Sequence, residues 1–140
     1  MKTLAQWLDE YGESHQNEVN KAIHWICVPV IYFCVVALLY RLHPWAAWGM
    51  LAVALVFYFS VSVPLALGML VLTLAMLAVI PAIPHLPAIA TGLFVLAWIG
   101  QFYGHRVEGR KPSFFKDLQF LLVGPIWLLN FVYKRLGLPT

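Results

Sequence analysis

Charge is what this sequence has least of: Asp, Glu, Lys and Arg make up 11% of 140 residues, and none occurs between Leu42 and His105. A soluble domain carries roughly 25% charged residues, and a bilayer-spanning helix needs about 20 apolar residues. The uncharged stretch therefore excludes an ordinary soluble fold and predicts three spans by itself. Cysteine is nearly absent too. Cys27 and Cys34 lie seven positions apart, about 10 Å along one helix, too far to bridge. They are expected to be packing residues. No Gly-x-Ser-x-Gly elbow, phosphate-binding glycine loop or paired-cysteine zinc motif is present. The net charge of +3 lacks the basic and aromatic interleaving of a nucleic-acid surface, so no nucleic-acid partner is expected. A secretory leader is not expected either, because Asp9, Glu10, Glu13 and Glu18 interrupt the first twenty residues.

What is there is a hydrophobic body with polar ends. Leu4, Trp7, Leu8, Tyr11 and His15 recur at three- and four-residue spacing, which predicts an amphipathic surface helix over 3–20. Four transmembrane helices follow, at about 22–42, 45–59, 65–80 and 88–104, giving an all-α polytopic membrane protein in one domain. Pro29 is expected to kink the first span just beyond His24. The second and third spans must be separate, since the run from Trp45 to Ile83 as one helix would reach about 58 Å, twice the hydrocarbon thickness. The break is expected at Ser60–Pro64, and Pro81, Pro84 and Pro87 stiffen the next turn. The tail at 114–133 is apolar but holds Gly124 and Pro125 at its middle, which predicts a pair of short interfacial or re-entrant helices. With four spans, Lys2, Lys21, Arg106, Arg110, Lys111, Lys116, Lys134 and Arg135 fall on one side and Arg41 alone on the other. Both termini are accordingly expected to be cytoplasmic. A compact chain without a retention signal points to a bacterial inner membrane rather than the endoplasmic reticulum.

This topology sorts the five histidines. His43 and His85 fall in the distal turns beside prolines, where a structural role is expected. His15, His24 and His105 fall on the cytoplasmic side among other polar residues. Asn17, Asn20 and His24 share one helix face, as do Gln101, His105 and Glu108. His15 is nine residues from His24, half a turn away on a straight helix, so the two meet only if the chain bends between them. Three imidazoles with amide and carboxylate neighbours suit iron, zinc or copper. Asn20, Gln101 and Glu108 are then the candidate catalytic partners, placed to orient the rings through their second nitrogen. The alternative is a lipid-binding or scaffold protein whose histidines only pack a wet interface.

At these two clusters the chain resembles the 2-hydroxy fatty acid dioxygenases of fatty acid α-oxidation. The matching blocks are YGESHQNEVNKAIHWICVP, beginning at Tyr11, and WIGQFYGHRVEGRKP, beginning at Trp98, followed by the Gly124-Pro125 step. The resemblance implies an iron(II)-dependent membrane oxygenase that uses dioxygen to shorten a 2-hydroxy long-chain fatty acid by one carbon, with His15, His24 and His105 at the positions of the metal ligands. Arg106, Arg110 and Lys111 are expected either to hold the substrate carboxylate or to sit as topology determinants beside anionic membrane lipid.

Overall fold

A computed structural model describes residues 2–109 and 114–140. Its helices are α1 (Leu4–Glu13), α2 (Glu18–Leu42), α3 (Pro44–Val61), α4 (Val63–Val79), α5 (Leu86–Glu108) and α6 (Phe114–Leu136), with a 3-10 turn at Ile80–Ala82 between α4 and α5. No strand occurs among the described residues.

Local chemistry fixes most of the helix starts. Thr3 and Gln6 form a reciprocal capping box on α1: the Gln6 amide N–H donates to Thr3 Oγ1 at 3.2 Å and the Thr3 N–H donates to Gln6 Oε1 at 2.8 Å. Asn17 caps α2, its side-chain oxygen accepting the amides of Val19 and Asn20. His43 and Ser62 are single-residue joints. The ring of His43 accepts the Trp45 amide, and the Ser62 hydroxyl accepts the Leu65 amide. Each is followed within two residues by a proline, whose missing N–H is no loss at a helix start. The structural role expected for His43 is thus a helix cap; His85 occupies the left-handed region (φ 54°) immediately before α5.

Five helices, α2 to α6, are long and apolar enough to cross a membrane. Side chains such as Val53, Val56, Val71 and Leu96 stand outward at half or more of full exposure, an apolar surface that a soluble monomer does not show. The interior is built on small residues. Ala37, Ala47, Ala54 and Ala66 are almost fully buried, which lets the helix backbones approach closely. Cys27 and Cys34 are free and buried, as expected of packing residues.

Two expectations differ from the structure. The N-terminal helix does not run over 3–20: it stops at Glu13, and the residues from Ser14 to Asn17 form a bend before α2 starts at Glu18. The cause is the Asn17 cap, which is worth about 1 kcal/mol to the new helix. The stripe of α1 also meets protein, with Trp7 against Phe57 and Tyr11 against Phe120 and Trp127. Second, 114–136 is one continuous helix and not a pair. Gly124 serves a close approach there. An added Cβ would lie 3.1 Å from the Tyr11 hydroxyl and 3.2 Å from Val28. α6 touches its neighbours near one end of the bundle: Phe131 meets Trp25 of α2, the Tyr58 hydroxyl of α3 donates to the Leu122 carbonyl, and Tyr133 donates to the Pro64 carbonyl at the start of α4.

Candidate metal centre

The same end of the bundle carries the polar residues. α2 and α5 run antiparallel and close, because glycines sit at the contact: a Cβ on Gly100 would come 3.0 Å from Cys27 Sγ, and one on Gly104 would collide with the Asn20 side chain. This register places His24, in the second turn of α2, opposite His105, in the last turn of α5. The bend at 14–17 then brings His15 in from the side. Ring centroids are 4.3 Å apart for His15 and His24, 4.9 Å for His24 and His105, and 5.1 Å for His15 and His105. All three are buried, and one potential ligand atom from each lies within 4.8 Å of the others. The predicted convergence of the three histidines is therefore present.

Each of two rings is oriented by a backbone carbonyl. His15 Nδ1 lies 2.5 Å from the Tyr11 carbonyl, and His24 Nδ1 lies 2.9 Å from the Asn20 carbonyl. A carbonyl only accepts, so both rings carry their proton on Nδ1 and present an unprotonated Nε2. The Tyr11 carbonyl is free to accept because it belongs to the last turn of α1, where no later helical amide reaches it. His15 Nε2 is buried and has no hydrogen-bond partner within the protein. Burial, with a smaller contribution from the nearby His24, pushes the His15 pKa down to about 3, so the ring is neutral. A neutral imidazole whose free nitrogen is buried without a partner is what a divalent transition metal requires, and the donor set fits one.

The amide and carboxylate residues stand around the bend. Glu108 Oε1 accepts the Asn17 backbone N–H at 2.7 Å and the Asn20 side-chain N–H at 3.1 Å, and Asn20 Nδ2 also donates to the Ser14 carbonyl at 3.0 Å. Together they strap the His15-bearing bend to the end of α5. Gln101 lines a cavity next to the histidines. Arg106 is exposed on the last turn of α5, and Arg110 and Lys111 lie outside the described residues. Sequence reading missed the aromatic wall of the site. The Tyr11 ring stacks on His15 at 4.0 Å and Trp127 approaches it at 5.6 Å. Tyr11 stands four residues before His15, a spacing that signals such contact on a helix; Trp127 carries no such signal.

Below the histidines a cavity of about 230 Å³ opens between α2, α5 and α6, with Val28, Ile31, Val35 and Leu121 in its wall and Asp117 at its α6 side. No solved structure matches the chain significantly. By sequence, it is 32% identical to the 2-hydroxy-palmitic acid dioxygenase MPO1 of Saccharomyces cerevisiae over 140 residues, covering 94% of this chain and 80% of the yeast protein. The family described as 2-hydroxy-palmitic acid dioxygenase Mpo1-like matches residues 1–136. With three buried histidines meeting above an apolar cavity, and a match running almost end to end, the chain belongs to the Mpo1-like family.

Proposed function

We propose that this protein is an iron(II)-dependent membrane dioxygenase that shortens 2-hydroxy long-chain fatty acids by one carbon. The observation that carries this reading is the placement of three buried imidazoles at the head of an apolar cavity. His15, His24 and His105 hold the ion, which supplies the activation of dioxygen when bound. The overall change balances: the bond between carbons 1 and 2 breaks, carbon 2 rises from alcohol to acid, carbon 1 leaves as carbon dioxide, and dioxygen takes the four electrons with formation of one water.

The chain's own residues do the rest. Val28, Ile31 and Leu121 exclude water and take the alkyl tail, each buried methylene contributing about 0.8 kcal/mol. Gln101 offers its amide to the polar head from the cavity wall. Asn20 and Glu108 hold the bend that positions His15. Arg106, with Arg110 and Lys111 following it, draws the carboxylate toward the histidine end. In this reading α2 to α5 span the membrane and α6 lies across their histidine-side ends, which agrees with its contacts at Trp25, Tyr58 and Pro64. Both termini are then cytoplasmic by the distribution of Lys and Arg.

The test is the metal content of the purified protein together with oxygen-dependent turnover of 2-hydroxypalmitate, repeated on His24→Ala and His105→Ala. Loss of iron and of turnover in both variants is expected. A wild-type protein that neither binds iron nor consumes any 2-hydroxy acid refutes the reading and leaves a lipid-binding protein in its place.

A further inference from the structure

The cavity has a length as well as a chemistry. Val28, Ile31, Tyr32 and Val35 recur on one face of α2, beginning one turn beyond His24, and all four line it. At 1.5 Å per residue, the path from His24 to Val35 is about 16 Å. An extended alkyl chain, with bonds of about 1.5 Å at tetrahedral angles, advances roughly 1.25 Å per carbon. About a dozen methylenes fit beneath the histidines. The tyrosine adds no free polar group along this path, because the Tyr32 hydroxyl pairs with Thr73 Oγ1 at 2.7 Å.

α3 runs antiparallel to α2 from the joint at His43, which puts Met50 at the depth of Val35, and Met50 is the residue of α3 that lines the cavity. Behind it the space between α2 and α3 is solid: Val36 and Ala47 are fully buried and Leu51 is 4% exposed. Resting on the reading of this site as one for 2-hydroxy fatty acids, we propose that Met50, with Val35, is the floor of an acyl channel and sets the longest chain the site accepts. A thioether side chain suits that position, since it is unbranched and fills an irregular end without a polar atom to satisfy.

The experiment compares kcat/KM for 2-hydroxydodecanoic, 2-hydroxypalmitic and 2-hydroxyeicosanoic acids on wild type, Met50→Trp, Met50→Ala and the near-isosteric Met50→Leu. Ratios between acids within one preparation are independent of how much of the variant folds. Each methylene that gains or loses a buried place changes the ratio about fourfold. Met50→Trp should therefore lower the palmitic to dodecanoic ratio at least tenfold. Met50→Ala should raise the eicosanoic to palmitic ratio by about fourfold or more, and Met50→Leu should stay within threefold of wild type. Wild-type turnover with ratios unmoved by Met50→Trp overturns the floor. If the wild-type protein turns over none of these acids, the catalytic reading fails separately. Displacement of a fluorescent fatty acid by the same three acids then decides the floor, and a chain-length dependence identical in wild type and Met50→Trp overturns it.

Discussion

Replacing Glu108 by alanine should weaken metal binding by up to about a hundredfold, through the bend that Glu108 holds. Its Oε1 accepts two hydrogen bonds that cross from α5 to the bend before α2, from the Asn17 N–H at 2.7 Å and from Asn20 Nδ2 at 3.1 Å. Hydrogen bonds to a charged acceptor contribute about 1.5 to 3 kcal/mol each. The carboxylate is partly exposed, so the low end applies and the pair is worth about 3 kcal/mol. That energy holds the bend carrying His15 closed over His24 and His105. If the bend opens, one of three ligands leaves. At 1.4 kcal/mol per tenfold, about 3 kcal/mol shifts the closed-to-open ratio by roughly a hundredfold, and apparent affinity falls by up to that factor. Glu108→Gln keeps one neutral acceptor and should lose about tenfold. Competition of iron(II) or zinc against a chelator of known affinity, in detergent at neutral pH, measures both variants beside His105→Ala, which should bind far more weakly than either. Wild-type affinity in Glu108→Ala refutes the strap.

Three further outcomes follow from other contacts. Gly104→Ala should destabilise the protein and lower its metal stoichiometry, because the new methyl collides with buried Asn20, whereas Gly92→Ala, with nothing within 4 Å, should stay within about 0.5 kcal/mol of wild type; thermal unfolding in detergent compares them. Tyr58→Phe and Tyr133→Phe each remove one bond anchoring α6, to the carbonyls of Leu122 and Pro64. Each should cost about 1 kcal/mol, and the two should add within about 0.5 kcal/mol because they attach α6 to different helices; a strongly non-additive double variant contradicts independent anchors. Glu10 is paired with Lys116 and Lys2, whose hydrogen bonds hold its carboxyl below its usual 4.5. A lowered folded-state value means the contribution is complete above pH 4.5 and disappears as pH falls through that lower value. The melting difference between wild type and Glu10→Gln should therefore shrink in acid and in high salt, and its total should remain under about 1 kcal/mol. A difference unchanged by either condition excludes the ion pairs as its source.

Much of the fold was legible because its causes are local. The uncharged run from Leu42 to His105, the joints at His43 and Ser62 and the prolines beside them are short-range chemistry, and the helices begin within a few residues of where that chemistry places them. The tail is less legible because its signal has a tertiary cause. Gly124 and Pro125 look like a helix break in isolation, yet α6 runs straight through them, and the glycine is there to let Tyr11 and Val28 come close. The first helix is shorter than its apolar stripe for a related reason. The apolar stripe continues to His15, but Asn17 caps a new helix, and a cap overrides a stripe when only one turn of stripe remains.

At the site, spacing along the chain identified which side chains share a face, and it could not say what they bond to. Asn20 and Glu108, which spacing places beside the imidazoles, also bond to each other and to the bend. The rings find nearer partners in backbone carbonyls four residues earlier, Tyr11 for His15 and Asn20 for His24. A carbonyl precedes every helical or helix-terminal histidine at that distance, so sequence carries no mark of its use. The polar side chains have a second task. Two ligands sit on α2 and α5, whose close packing at Gly100 and Gly104 makes their separation rigid, while the third sits on four residues without regular structure. The bend is held on one side by the stacking of His15 on Tyr11 and on the other by hydrogen bonds. The Asn17, Asn20 and Glu108 network joins it to α5, which is why a site with three identical ligands depends on a carboxylate that holds the backbone of the bend.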